Sequence, residues 1–102
     1  MMEKQLRHIV LFSFNEAVSQ AGRDEVRRRF TSLREKIPLI RGFECGRNNS
    51  PEGLAHGYED CYLVTFGSEV DRDAYLPHPA HREFSDFVGP LLKDVLVFDY
   101  WA

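Results

Sequence analysis

The segment from Tyr75 to His81 carries the side chains in this sequence that are best suited to acid–base chemistry. His78 and His81 lie three residues apart at the predicted start of a helix, which brings their imidazole rings close together. An imidazole titrates near neutral pH and therefore serves as a general base with little tuning. As a catalytic residue, His81 would remove a proton alpha to a carbonyl group, and the Tyr75 hydroxyl would hold or protonate the developing enolate oxygen.

The same side chains have structural interpretations that the sequence leaves open. His78 can cap the helix, while His81 packs under the preceding loop and hydrogen-bonds to the backbone. Tyr75 can join the helix to the sheet with its hydroxyl at the edge. These interpretations assign the segment to fold stability and not to catalysis.

His8 is a third candidate because it lies in a run of apolar strand residues. It shares one strand face with Val10 and Phe12, since side chains two residues apart in a strand point the same way. In a barrel we expect that face to be the inner one, which makes His8 the best candidate for a second polar group in a cavity. The alternative is a buried histidine whose hydrogen bonds are satisfied within the fold.

Metal and thiol chemistry have weaker support in the sequence. His78 and His81 could bind a metal together with Glu83, but two histidines at this spacing fall short of a zinc pattern, so we predict neither a metal nor a cofactor. Cys45 and Cys61 lie in predicted strands without paired ligand spacing. They are expected to be buried, inert free thiols in a reducing cytosol, with a disulfide between neighbouring strands as the alternative.

Composition indicates one small globular domain over residues 1–102. The 102 residues are 43% hydrophobic, which is enough for a single core. Lys and Arg number 13 against 16 Asp and Glu, a net charge of −3 without a basic stripe, and this disfavours nucleic-acid binding. The sequence has neither the pattern of a secretion signal nor an apolar run of roughly 20 residues, so we expect no membrane association and a cytoplasmic location.

Hydrophobic periodicity predicts strands and helices in the order β-α-β-β-α-β. The second helical segment is predicted in two pieces, because Pro77 interrupts it and Pro79 suits the first position of a new helix. Two βαβ-like halves predict a ferredoxin-like α+β fold, a four-stranded antiparallel sheet with the helices on one face. The predicted strands cover residues 6–14, 40–47, 58–66 and 94–101, and the predicted helices cover 19–37 and 68–76, with a further helix beginning at His78.

Helices on one face leave the other face of the sheet uncovered. The first, third and fourth strands carry apolar residues in both alternating registers, so this second face also needs a cover. The simplest cover is a second copy of the same sheet, and two sheets packed face to face about a two-fold axis make a dimeric α+β barrel. We therefore expect a homodimer through the sheet face, with a pocket between the sheet and the helices.

Short motifs spread over nearly the whole chain resemble the stress-responsive dimeric α/β-barrel (Dabb) family, which has a ferredoxin-like fold. Taken together the motifs are specific, whereas the spacing His-Pro-x-His alone is not. They are His8 to Phe12 in the first strand, Phe43 to Asn48, Ser50 to Leu54 and Gly57-Tyr58 in the middle, Asp73 to His81, and Val97 to Tyr100 near the end.

The resemblance implies a homodimer and much less about activity. Many members of the family are uncharacterised bacterial proteins, some plant members are linked to stress responses, and a plant polyketide cyclase of the family performs an aldol condensation with a histidine and a tyrosine. By resemblance to that cyclase, His81 and Tyr75 correspond to this pair, and His8 corresponds to a first-strand histidine. The sequence departs from the cyclase at Asp60, where the plant enzyme has another histidine, so the same substrate is not expected.

Two functional hypotheses from different classes follow. The first is an enzyme or a binding protein that takes a small hydrophobic carbonyl compound into a cavity between sheet and helices, with His81, Tyr75 and His8 as polar contacts. The second is a non-catalytic, stress-related dimeric module whose cavity is filled by Phe and Leu side chains. Cavity volume separates the two. Fold analogy alone adds a cofactor-free monooxygenase as a third, minor alternative.

Overall fold

The computed structural model describes residues 3–102 as one antiparallel sheet with helices on one side. In chain order the elements are β1 (Leu6–Phe14), α1 (Gln20–Lys36), β2 (Gly42–Arg47), β3 (Asp60–Phe66), α2 (Glu69–Tyr75), α3 (Pro79–Val88), a 3₁₀ turn (Gly89–Leu91) and β4 (Leu92–Trp101). The strands are ordered β2-β3-β1-β4, and each neighbouring pair is antiparallel. The predicted ferredoxin-like α+β arrangement is therefore confirmed, with the second helical segment divided into α2 and α3.

Side-chain caps determine where the helices begin. Ser19 and Ser68 each accept a hydrogen bond from a backbone N–H in the first turn of α1 and α2, over 3.1 Å in both cases. His78 caps α3 in the same way, and Pro79 occupies the first helical position, where its missing N–H costs nothing. The helix starts that the sequence predicts are confirmed. None of the helices within residues 3–102 is both long enough and apolar enough to cross a bilayer.

The core lies between the sheet and the helices. Even-numbered side chains of β1 and β3 point toward the helices and are buried. Phe30 of α1 is in the middle of this layer: its ring stacks on Tyr62 with centroids 4.3 Å apart and contacts Phe84 of α3 at 4.6 Å. Aromatic pairs of this kind contribute about 0.5–1.5 kcal/mol beyond simple burial. These contacts fix α1 and α3 against the sheet.

The opposite face of the sheet carries apolar side chains that no helix covers. We call this the bare face, and its apolar residues are Ile9, Leu11, Leu63, Leu96 and Phe98. On β4 the exposed fraction reaches 61% for Phe98 and 38% for Leu96. Contiguous apolar surface of this kind typically marks a site of association.

Both cysteines are exposed free thiols, so the prediction that they are buried is wrong. Cys45 lies on the edge strand β2 opposite Tyr62, and Cys61 points to the bare face. The strand alternation therefore places the two thiols on opposite sides of the sheet, which explains why they do not form a disulfide. Partial burial raises the pKa of Cys61, with smaller contributions from Glu44 and Cys45, and this keeps the thiol in its less reactive protonated form.

Candidate functional site

A cavity of about 610 Å³ lies between β1 and β4 on one side and α2 and α3 on the other. This volume falls within the range of about 300–1,000 Å³ that is typical of small-molecule sites. Phe and Leu side chains line the cavity but do not fill it, whereas the non-catalytic hypothesis requires a filled cavity. Its apolar lining includes Val10, Phe12, Phe30, Phe84, Val88, Leu92, Val95 and Val97, and its polar lining includes His8, Arg72, Asp73, Tyr75, His81 and Asp99.

Strands β1 and β4 place His8 directly opposite Asp99. Nδ1 of His8 lies 2.8 Å from Oδ1 of Asp99, and because an ionised carboxylate only accepts hydrogen bonds, Nδ1 carries the proton. Arg72 of α2 donates to the other carboxylate oxygen of Asp99 over 2.9 Å. Asp99 therefore fixes the orientation of the His8 ring, and Nε2 is the basic nitrogen of its neutral form.

The break between α2 and α3 orients His81. The carbonyl of Leu76 lies just beyond the last turn of α2, where Pro77 and Pro79 offer no backbone N–H. Nδ1 of His81 donates to this carbonyl over 2.8 Å. Since a carbonyl only accepts, Nε2 of the neutral His81 ring is left unprotonated and available to act as a base.

Tyr75 lies between the two histidines. Its ring centroid is 6.0 Å from that of His8 and 4.4 Å from that of His81. The side chain is fully buried, and within residues 3–102 its hydroxyl has no hydrogen-bond partner. Burial raises the pKa of Tyr75, so the hydroxyl stays protonated and is a donor without a partner among the described residues.

The environment of His81 favours its neutral form. Burial lowers the pKa of His81 below its ordinary value of 6.5, and the neighbouring His8 and His78 lower it further. The hydrogen bond to the Leu76 carbonyl acts in the opposite direction but does not reverse the shift. At neutral pH the ring is therefore a base ready to accept a proton.

The structure brings the three predicted site residues, His8, Tyr75 and His81, into the wall of one cavity. Sequence reasoning missed Asp99 and Arg72, which connect to His8 in a chain of hydrogen bonds. The signal for Asp99 was an acidic residue inside an otherwise apolar strand, because a carboxylate in such a position needs a partner. That partner becomes visible only once β1 and β4 are paired.

The position of His8 differs in one respect from the expectation. The face of β1 that carries His8 is the one that the helices cover, so the prediction that it lines the inside of a barrel is wrong. A second sheet would pack against the bare face, where Ile9 and Leu11 point. His8 nevertheless lines a cavity, the one between the sheet and the helices.

Asp60, the position that departs from the cyclase pattern, is not among the residues that line this cavity. Its carboxylate is buried, receives the Arg27 guanidinium over 3.3 Å, and accepts the Tyr62 hydroxyl over 3.2 Å. The ion pair between Arg27 and Asp60 joins α1 to β3. The position at which this sequence differs from the cyclase therefore belongs to an ion-pair network that stabilises the fold.

The remaining histidines have roles outside the cavity. Nδ1 of His78 accepts the backbone N–H of Ala80, as predicted for a cap, and His56 is exposed in the loop before β3, also as predicted. Within residues 3–102, no three His, Cys, Asp or Glu side chains lie close enough to hold a metal ion together.

A second hollow of about 680 Å³ lies over the bare face, beneath the loop that joins β2 to β3. Its floor is formed by the apolar side chains of Ile9, Leu11, Leu63 and Leu96. The hollow thus belongs to the face that the helices leave uncovered. Neither His8 nor Tyr75 nor His81 reaches it.

Comparison with known proteins identifies relatives along almost the entire chain. Residues 6–102 match the model of the family described as the Stress responsive A/B Barrel Domain. The Stress-response A/B barrel domain-containing protein HS1 of Arabidopsis thaliana is 36% identical over 96 residues, which cover 93% of this chain and 87% of the relative. Olivetolic acid cyclase of Cannabis sativa is 26% identical over 95 residues, which cover 93% and 94% of the two chains.

Solved structures share the fold. A hydroxynitrile lyase from Passiflora edulis matches with a TM-score of 0.90 at 25% identity and covers 98% of this chain and 94% of its own. A protein of unknown function from Thermobifida fusca, described as dimeric and ferredoxin-like, matches with a TM-score of 0.81 at 26% identity, over 100% and 94% of the two chains. The predicted ferredoxin-like fold is therefore shared with proteins described as dimeric.

The unpartnered hydroxyl of Tyr75 leads to a prediction for stability. Tyr75→Phe removes a buried polar group that has no partner, so we expect the free energy of unfolding of the ligand-free protein to stay the same or rise, by up to about 1–3 kcal/mol. Tyr62→Phe is the matched control, because its hydroxyl bonds to Asp60; this variant should lose about 1 kcal/mol. Urea denaturation of both variants measures the difference, and equal losses would show that Tyr75 has a partner after all.

The lowered pKa of His81 leads to a prediction for pH dependence. In the unfolded chain this histidine titrates near 6.5, above its value in the fold, so the unfolded state binds the proton first as the pH falls. Its contribution to stability is present above about pH 6.5 and is lost as the pH falls through the folded pKa. Between about pH 7.5 and 5.5 the wild type should therefore lose more stability than His81→Gln.

Urea denaturation at the two pH values measures this loss. His56→Gln, which changes an exposed histidine, is the control and should follow the wild type. If His81→Gln also follows the wild type, burial does not shift the titration of His81.

Proposed function

The chain belongs to the stress-responsive A/B barrel domain family, and on that premise we propose that it binds a small hydrophobic carbonyl compound and moves a proton at the carbon next to the carbonyl group. One observation carries the proposal. The Tyr75 hydroxyl is fully buried without a partner, and the rings on either side of it, His8 and His81, each keep Nε2 free of hydrogen bonds to the described residues.

Each polar group has a distinct role in the proposed reaction. The Tyr75 hydroxyl donates to the carbonyl oxygen of the ligand and stabilises the negative charge that develops there. Nε2 of His81 takes the proton from the adjacent carbon, and the electrons of the broken C–H bond move into the enolate. The His8 ring, which Asp99 orients, is the second acid–base group.

The apolar wall supports the proposal in two ways. It binds the hydrocarbon part of a ligand, because burial of apolar surface contributes about 25 cal/mol per Å². It also excludes water, which strengthens the hydrogen bond from Tyr75 to a developing oxyanion. The aromatic end formed by Phe12, Phe30 and Phe84 suits a ring or an alkyl chain.

Two relatives support small-molecule conversion as the class of activity. One is named a cyclase and another a hydroxynitrile lyase, and each covers more than nine tenths of this chain. Identities of 26% and 25% do not carry over a substrate. The proposal for this chain therefore names a compound class and a type of proton transfer.

We also propose that the chain works as a homodimer through the bare face. The apolar residues of that face lie on β1, β3 and β4, with helices only on the opposite side. A second copy offers an equally apolar and equally curved surface, so two bare faces can cover one another about a two-fold axis. Structural neighbours described as dimeric support a second copy of the chain as the partner on the bare face.

Deuterium exchange tests the proposed proton transfer. Acetophenone is a small apolar ketone whose methyl protons exchange with D₂O through the enolate, and the loss of their signal is followed by proton NMR. We expect the protein to accelerate this exchange above the buffer rate. His81→Ala should remove at least about 100-fold of the acceleration, the usual contribution of a general base, and Tyr75→Phe should also lower the rate.

His56→Ala is the matched control for the exchange experiment, since this histidine is exposed and does not line the cavity. It should leave the acceleration unchanged. Exchange at the buffer rate with the wild type, or an equal acceleration with His81→Ala, would contradict the proposal.

Substitution on the bare face tests the proposed dimer. Leu11 lies on the central strand β1 and points to that face, so Leu11→Lys introduces a charge at the interface and should convert the dimer to a monomer. Val70→Lys on α2 is the control, because Val70 is 76% exposed on the helical side. Size-exclusion chromatography with light scattering gives the mass, and a monomeric wild type at about 50 µM would rule out a stable dimer.

A further inference from the structure

Three of the described residues that line the cavity carry a full charge at neutral pH: Arg72, Asp73 and Asp99. The guanidinium of Arg72 lies between the two carboxylates, with Nε 2.9 Å from Asp73 and a terminal nitrogen 2.9 Å from Asp99. One positive and two negative charges leave this part of the wall with a net charge of −1. The cation is already committed to both anions.

These charges lie at the rim of the cavity. The side chain of Asp73 is 64% exposed, while those of Arg72 and Asp99 are 22% and 20% exposed. The rest of the lining is apolar, apart from the two imidazole rings, the Tyr75 hydroxyl and Ser85. A ligand that enters therefore passes a negative rim and meets no unpaired positive charge.

We propose that this rim makes the cavity select uncharged carbonyl compounds over carboxylates of the same shape, and that Asp73 is the residue that determines the preference. The inference rests on the proposed function, since it concerns the ligand of the same cavity. A carboxylate loses its hydration on entering the apolar interior, and the rim adds repulsion to that cost. A neutral carbonyl oxygen accepts the hydrogen bond from the Tyr75 hydroxyl without either of these costs.

Substitution of Asp73 alone separates the effect of the rim charge from the general cost of burying a charged ligand. Asp73→Asn keeps an oxygen that can accept from Arg72 and removes one negative charge from the rim. Glu69→Gln is the matched control: it makes the same change of net charge on the same helix, at an exposed position that does not line the cavity. Any difference in ligand affinity between the two variants is therefore due to the position of the charge that was removed.

Three probes of nearly equal shape separate charge from polarity. Acetophenone is neutral, benzamide is neutral and more polar, and benzoate carries one negative charge. Their dissociation constants are measured by ligand-observed NMR at about pH 8, with the wild type and the two variants. We expect the wild type to bind benzamide within about tenfold of acetophenone, and benzoate more weakly than both.

The decisive quantity is the ratio of benzoate to acetophenone affinity. Asp73→Asn should raise this ratio about threefold or more, and added salt should reduce the difference between this variant and the wild type, because the effect acts through solvent-exposed charge. Glu69→Gln should leave the ratio at the wild-type value.

The outcomes distinguish the inference from the function on which it rests. If acetophenone binds but Asp73→Asn and Glu69→Gln change the ratio equally, the rim does not select, and the proposed function stands. If benzoate binds as tightly as acetophenone to the wild type, the inference is also wrong. If no probe binds at millimolar concentration, the proposed ligand class fails and the inference fails with it.

Discussion

Two prolines determine where the polar groups of the cavity lie. Pro77 and Pro79 cannot donate backbone hydrogen bonds, so one helical segment becomes α2 and α3, and the carbonyl of Leu76 is left for the ring of His81. In a continuous helix, residues six positions apart are separated by about 1.7 turns and face different directions. The break instead brings the rings of Tyr75 and His81 to 4.4 Å. The geometry of the site is thus a consequence of a missing backbone donor.

The two buried tyrosines show how the fold divides stability from function. Tyr62 and Tyr75 are both fully buried, but the hydroxyl of Tyr62 bonds to Asp60, whereas that of Tyr75 has no partner within residues 3–102. Buried polar groups are satisfied almost everywhere in native proteins, so an exception in the wall of a cavity is informative. The rest of the core compensates for the cost of this exception.

Much of the fold could be predicted from local patterns. Strand β1 was predicted with its observed bounds, and the caps at Ser19, Ser68 and His78 identify the helix starts, because both kinds of signal lie within a few neighbouring residues. The starts of β2, β3 and β4 differ from the predictions by two residues each. At these three starts, the pattern of apolar residues does not coincide with the first residue that pairs with a neighbouring strand.

The parts of the site that sequence reasoning missed depend on long-range pairing. Alternation shows that His8 and Ile9 point in opposite directions, but it does not say which side the helices cover, and this is why His8 was assigned to the wrong face. Asp99 is a partner of His8 only through the β1–β4 register. The exposure of Cys61 follows from the same bare face, which a single chain cannot bury.

The hydrogen bond between His8 and Asp99 joins residues 91 positions apart in the chain. During synthesis, His8 leaves the ribosome long before Asp99, and most of the remaining cavity lining comes from α2, α3 and β4, all in the last third of the chain. Contacts between residues so far apart form late, because closing the long loop costs entropy first. A nascent chain therefore has no complete cavity until its last third has folded onto β1, and ligand binding reports that the whole chain has folded.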